Sequence, residues 1–145
     1  MPERCWIWQC DHVIPSSPGA GRGVLEEVLD KLQQQCWLDH DIFSVHLAME
    51  EALTNAIKHG NRSDAAKQIH VSCRLTPDLV QIEISDQGPG FDPAGVPDPT
   101  DAAHLEIPRG RGLMLMRSFM SRVAFNALGN CVVMEKQRAS APQRP

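Results

Sequence analysis

The sequence predicts an α/β domain whose elements follow the order β-α-α-β-β-α-β-β. Three observations predict it. Residues 68–75 and 79–85 alternate apolar and polar side chains around Thr76-Pro77-Asp78, the pattern of an antiparallel hairpin. Residues 24–36 and 42–56 place apolar residues three and four apart, the period of amphipathic helices. A third helical run from Leu113 to Val123 leads into a second hairpin over 123–136, turned at Leu128-Gly129-Asn130.

The 145 residues are most simply one domain over 1–138, with a small, polar, proline-rich tail over 139–145 that is expected to be disordered. Hydrophobic residues at 42% and charged residues at 22% match an ordinary globular composition. A formal net charge of −4 argues against a nucleic-acid surface, which would be basic. No apolar run approaches the roughly 20 residues of a membrane span. MPERCWIWQC lacks the basic start and apolar core of a secretory signal, so a cytoplasmic location is expected. Five cysteines without C-x-x-C spacing read as reduced thiols, not as disulfides or zinc ligands, and the six histidines form no metal-binding pattern.

Taken in order, Arg4 to Cys10 reads as a strand with apolar residues on both faces. The connector Pro15 to Gly23 lacks the Lys-Ser/Thr of a phosphate loop and reads as a helix entrance, with Ser16 or Ser17 as cap. Val24 to Cys36 forms the first helix. Asp39 or Asp41 caps the second, which ends near His59-Gly60-Asn61, where Gly and Asn suit a C-terminal cap. Pro93, Pro97, Pro99 and Pro108 forbid a regular helix between Asp92 and Pro108. That segment is either a lid over a ligand or a variable surface loop, and its place between two glycine motifs favours the lid.

The second helix carries the polar residues that matter. Glu51 and Asn55 lie one turn apart on the side opposite Val45, Met49, Ala52 and Ala56, so carboxylate and amide point into the same space. His59 continues that line; it either steers a phosphate or partner hydroxyl or, more simply, places a cation at the helix end. Asp86-Gln87-Gly88-Pro89-Gly90 follows the second hairpin strand, and Arg109-Gly110-Arg111-Gly112-Leu113 opens the third helix. Each motif alone is weak, because such residues often only turn or cap the chain.

Together they suit a nucleoside triphosphate. The helix start after Gly112 offers unpaired N–H groups and a positive dipole end to phosphate oxygens, with Arg109 and Arg111 as cationic partners. Asp86 can accept a hydrogen bond from an exocyclic amino group such as that of adenine. Asn55 offers a neutral oxygen to hydrated magnesium. Glu51 can accept the proton of a hydroxyl or water attacking the γ-phosphate.

Glu51-x-x-x-Asn55, Asp86-x-Gly88-x-Gly90 and Gly110-x-Gly112 resemble the N, G1 and G2 boxes of the GHKL ATP-binding superfamily. EEALTNAIKHGN, ISDQGPGFDP and GRGLMLMRSFMSRV look most like the anti-sigma-factor serine/threonine kinases within it. The resemblance implies a two-layer α/β sandwich: a mixed, mostly antiparallel sheet with helices on one face and an ATP lid. It implies ATP and Mg2+ as cofactors, Asn55 as the magnesium ligand, Asp86 on adenine, and Gly88, Gly90, Gly110 and Gly112 shaping the pocket. It makes Glu51 the base that activates a Ser or Thr of an anti-anti-sigma (STAS-domain) partner, with a sigma factor as the alternative bound protein. A homodimer is left open; nucleic acid and membrane are not implied partners. Gly129-Asn130-Cys131 departs from the family's frequent Gly-Thr. Two other functions compete: a nucleotide-gated binding module with little turnover, and a histidine-kinase-type catalytic domain, against which the short chain argues.

Overall fold

The computed structural model describes residues 5–90 and 110–139, apart from the side chain of Arg111. The expected lid, Arg109 and the end of the tail lie outside the described residues. The elements are β1 (Trp8–Pro15), α1 (Arg22–Gln34), α2 (Asp39–Thr54), a π-helical segment (Asn55–Gly60), β2 (Gln68–Leu75), β3 (Leu79–Ser85), α3 (Gly110–Phe119), β4 (Arg122–Phe125) and β5 (Cys131–Gln137). The five strands form one sheet in the order β1-β2-β3-β5-β4, and every described pairing is antiparallel.

Alternation decides which sheet face is covered. Ile69, Val71, Cys73 and Leu75 of β2, Val80, Ile82 and Ile84 of β3, and Val132 and Met134 of β5 are buried on one face. They join Val28 and Leu32 of α1, Val45, Met49 and Ala52 of α2, and Met116 of α3 in one core. Burying each large aliphatic side chain contributes about 1.5–3 kcal/mol, so this face holds the two layers together. The α/β sandwich expected from the sequence is therefore present.

Three local expectations are corrected. The first strand runs over Trp8–Pro15 rather than ending at Cys10, and it pairs residue by residue from Trp8↔Leu75 to Pro15↔Gln68. The polar pair Asp11-His12 breaks the apolar pattern but not the strand. Asp11 lies on the outer face against His70 and Ser72, while His12 turns inward toward Glu27 of α1.

Neither Ser16 nor Ser17 caps α1, because a turn over 17–21 intervenes and Gly21 is the N-cap. Ser16 is buried and donates to the Lys67 carbonyl. Leu38, not an aspartate, precedes α2; Asp39 and Asp41 sit in its first turn, where the helix dipole favours them. Asp41 is buried and accepts from the Ala139 N–H, tying the segment just after β5 to α2.

Candidate functional site

The second helix does not stay α-helical to its end. From Asn55 to Gly60 it widens into a π-helix, and Gly60 has no left-handed backbone; Arg62 and Ser63 take the positive φ instead, at 53° and 56°. The helix ends where expected, with Asn61 as its C-cap, and Gly60 is not needed for a left-handed turn. Its role is close approach: a Cβ added there would lie 2.3 Å from the Asp86 carboxylate. A Cβ at Gly88 would lie 2.0 Å from the Gly60 carbonyl oxygen. The π-helical segment and the Asp-x-Gly turn therefore touch backbone to backbone.

One buried side chain fastens this contact. Asn61, 0% exposed, donates from Nδ2 to Ser16 Oγ (2.6 Å) and to the Gln68 carbonyl (2.9 Å), and its Oδ1 accepts from the Gln87 N–H (2.7 Å). Gln87 returns the link by accepting the Gln68 N–H at 2.7 Å. The end of α2, the end of β1, the start of β2 and the turn after β3 are thereby locked together.

Asp86 leaves β3 with its N–H donated to the Asn130 carbonyl at 2.9 Å. Its Oδ1 accepts the Gly88 N–H at 2.8 Å, which fixes the carboxylate. Asn130 Nδ2 reaches back to the Gly88 carbonyl at 3.2 Å. Asn126 Oδ1 in turn accepts the N–H groups of Gly129, Asn130 and Cys131, so the β4–β5 turn is rigid where it supports Asp86. Gly90 has a φ of 82° and passes so close to the Leu128 carbonyl that no side chain fits.

The start of α3 completes the arrangement. A Cβ on Gly112 would lie 3.1 Å from Glu51 Oε2 and 3.2 Å from Asn55 Nδ2. The N-terminal turn of α3 thus faces both polar residues of the second helix, and Leu113 is buried beneath it. Ala52, Asn55, Ala56, Ile84, Asp86, Met116, Phe125 and Val132 line one small hollow of about 20 Å³. That is room for about one water. Met116, an adaptable side chain, is one of the hollow's walls.

Gly112 meets Glu51 and Asn55, and Asn55 shares the small hollow with Asp86. His59 lines a second hollow of about 340 Å³ with Lys58, Arg62, Pro89 and Gly90, at the outer side of the Asp-x-Gly-x-Gly turn. Asn61, Gly60 and the apolar walls Ile84, Phe125 and Val132 escaped the sequence reading. The signal for the first two was the Gly-Asn pair after the Glu51/Asn55 helix, which also fits an ordinary cap.

The sequence matches the family of the histidine kinase-like ATPase domain over residues 14–136. It is 34% identical over 85 residues to the serine/threonine-protein kinase BtrW of Bordetella bronchiseptica, covering 57% of this chain and 60% of that protein. It is 30% identical over 103 residues to the anti-sigma F factor of Oceanobacillus iheyensis, covering 67% of this chain and 70% of that one. The crystal structure of the RsbU and RsbW domains of a Mycobacterium tuberculosis protein superposes with a TM-score of 0.63 at 18% identity. That match covers 94% of this chain and 34% of the other. It supports the fold alone. No described helix is long and apolar enough to cross a membrane. The chain belongs to the family of the histidine kinase-like ATPase domain.

Proposed function

We propose that this protein is an ATP-dependent serine/threonine protein kinase of the anti-sigma-factor type. It phosphorylates an anti-anti-sigma (STAS-domain) partner and sequesters a sigma factor or similar regulator. The observation that carries this reading is the convergence of Glu51, Asn55 and the N-terminal turn of α3 around Gly112, beside the hollow that holds Asp86.

The base enters that hollow between Met116 and Phe125 and gives its amino N–H to Asp86. The phosphates extend toward α3, whose first N–H groups and dipole meet their charge, with Arg109 and Arg111, adjacent in sequence, as their cationic partners. Asn55 supplies one neutral oxygen, which fits a magnesium ion that keeps water and phosphate oxygens as its other ligands. When bound, that ion neutralises phosphate charge. Glu51, next to Gly112, takes the proton of the partner's hydroxyl as its oxygen bonds to the γ-phosphorus and ADP leaves.

The test is transfer of γ-labelled phosphate, with magnesium, to proteins of an extract of the source organism, run beside Glu51→Ala. The expected result is acid-stable label on one small protein, absent with the variant. A sample that binds ATP and labels nothing contradicts the kinase reading.

A further inference from the structure

On the far edge of the sheet, separated from β3 by β2, a second group of chemically active side chains meets. Cys10 and His12 are two residues apart on β1 and so share its inner face. Glu27 reaches them from α1, with its Oε1 at 3.0 Å from His12 Nε2. One ligand atom from each of the three lies within 4.8 Å of the others. We propose that Cys10, His12 and Glu27 form a binding site for a borderline-soft divalent cation, with zinc the best match.

The donor set selects the metal. A thiolate, an imidazole and a carboxylate suit zinc, whereas magnesium and calcium prefer all-oxygen sites. Zinc with ligand bonds of about 2.0–2.3 Å holds its donors roughly 3.4–3.6 Å apart in a tetrahedron. The three atoms, all within 4.8 Å of one another, need separations to shorten by at most about 1.4 Å to close on one ion. The imidazole of His12 and the carboxylate of Glu27 are 41% and 38% exposed, which leaves a face for entry and for a water as fourth ligand.

The surroundings suit a thiolate ligand. Cys73 lies directly across from Cys10 in the β1–β2 register. Its thiol is buried, so it shields the Cys10 side of the group from solvent. An ion pair between His12 and Glu27 alone would account for those two residues. Cys10, which packs at the edge of the core, brings its thiol within reach of that pair.

Sequence spacing concealed the group. Cys-x-His on a strand plus a glutamate on the next helix matches none of the usual finger spacings. The fold supplies the proximity.

The probe is Co2+ titrated into the full-length, chelator-treated protein, with Zn2+ as competitor and Mg2+ as control. The expected result is one Co2+ per chain with a thiolate-to-cobalt charge-transfer band, displaced by Zn2+ and unaffected by Mg2+. Cys10→Ser removes the band, while His12→Gln and Glu27→Gln weaken binding by at least about tenfold, the loss seen when even an outer partner of a metal ligand is removed. Cys36→Ser, at an exposed cysteine, leaves the titration unchanged. Circular dichroism melts confirm that the variants fold. Binding without a thiolate band, a band that survives Cys10→Ser, or affinity indifferent to His12→Gln and Glu27→Gln overturns the proposal and leaves only an ion pair.

Discussion

Gly60→Ala adds one methyl group and is expected to weaken ATP binding without unfolding the protein. The new Cβ would sit 2.3 Å from Asp86 Cγ and Oδ2 and 2.6 Å from Oδ1. The atoms it meets belong to a side chain, so the carboxylate retreats by about 1 Å, enough to break a hydrogen bond of ordinary length. Losing the hydrogen bond that the base donates to this charged acceptor costs about 1.5–3 kcal/mol. That is roughly a 10- to 100-fold rise in Kd for ATP.

Gly88→Ala is the informative contrast. Its Cβ would meet the Gly60 backbone at 2.0 Å, where nothing flexible can yield, so that variant loses stability as well as nucleotide. Calorimetric titration with a non-hydrolysable ATP analogue, beside thermal melts, separates the two effects. Asp86→Asn should match Gly60→Ala, since it replaces one acceptor oxygen with a donor. Gly60→Ala that melts normally and binds the analogue with wild-type affinity would refute the placement of Asp86 at the base.

Other consequences are more local. Asn61→Ala removes three side-chain hydrogen bonds at a fully buried position and should destabilise the fold by about 2–4 kcal/mol in urea melts, because Gln68 and Gln87 lose their partner. Met116→Ala empties volume between α3 and the sheet and should cost about 2–5 kcal/mol while enlarging the hollow.

Burial, followed by the nearby Glu83 carboxylate, holds the Cys131 thiol above its ordinary 9.0. The folded state therefore keeps a proton that the unfolded chain releases as pH rises past 9.0, so this group's contribution to stability falls there. Melts from neutral to alkaline pH should show that decline reduced in Cys131→Ser. Cys131 should also react with iodoacetamide more slowly than the exposed Cys36.

Periodicity revealed most of the architecture because the sheet has one buried face. Ile69, Val71, Cys73 and Leu75 could be placed by alternation alone, as could Val80, Ile82 and Ile84. The edge strand β1 was harder. Its inner positions include Cys10, at the edge of the core, and His12, which meets the Glu27 carboxylate instead of the core.

The widening of the second helix over Asn55–Gly60 left no sequence mark, since it arises from contacts made by Gly60 and Asn61 with segments far along the chain. Within the candidate site, Glu51, Asn55, Asp86 and Gly112 could be singled out because three motifs, each weak alone, follow one another in order. Ile84, Phe125 and Val132 were not, because an apolar wall and an ordinary core residue look alike in sequence.

Single-turnover phosphoryl transfer by Glu51→Gln, measured alongside its affinity for ATP, tests the kinase chemistry most directly. The substitution keeps the size of a side chain at 3.1 Å from the position of a Gly112 Cβ but removes its capacity to take a proton. The predicted result is near-normal ATP affinity with transfer to the partner slowed by about 10²-fold or more, the usual contribution of a general base. Transfer at the wild-type rate would contradict Glu51 as the base.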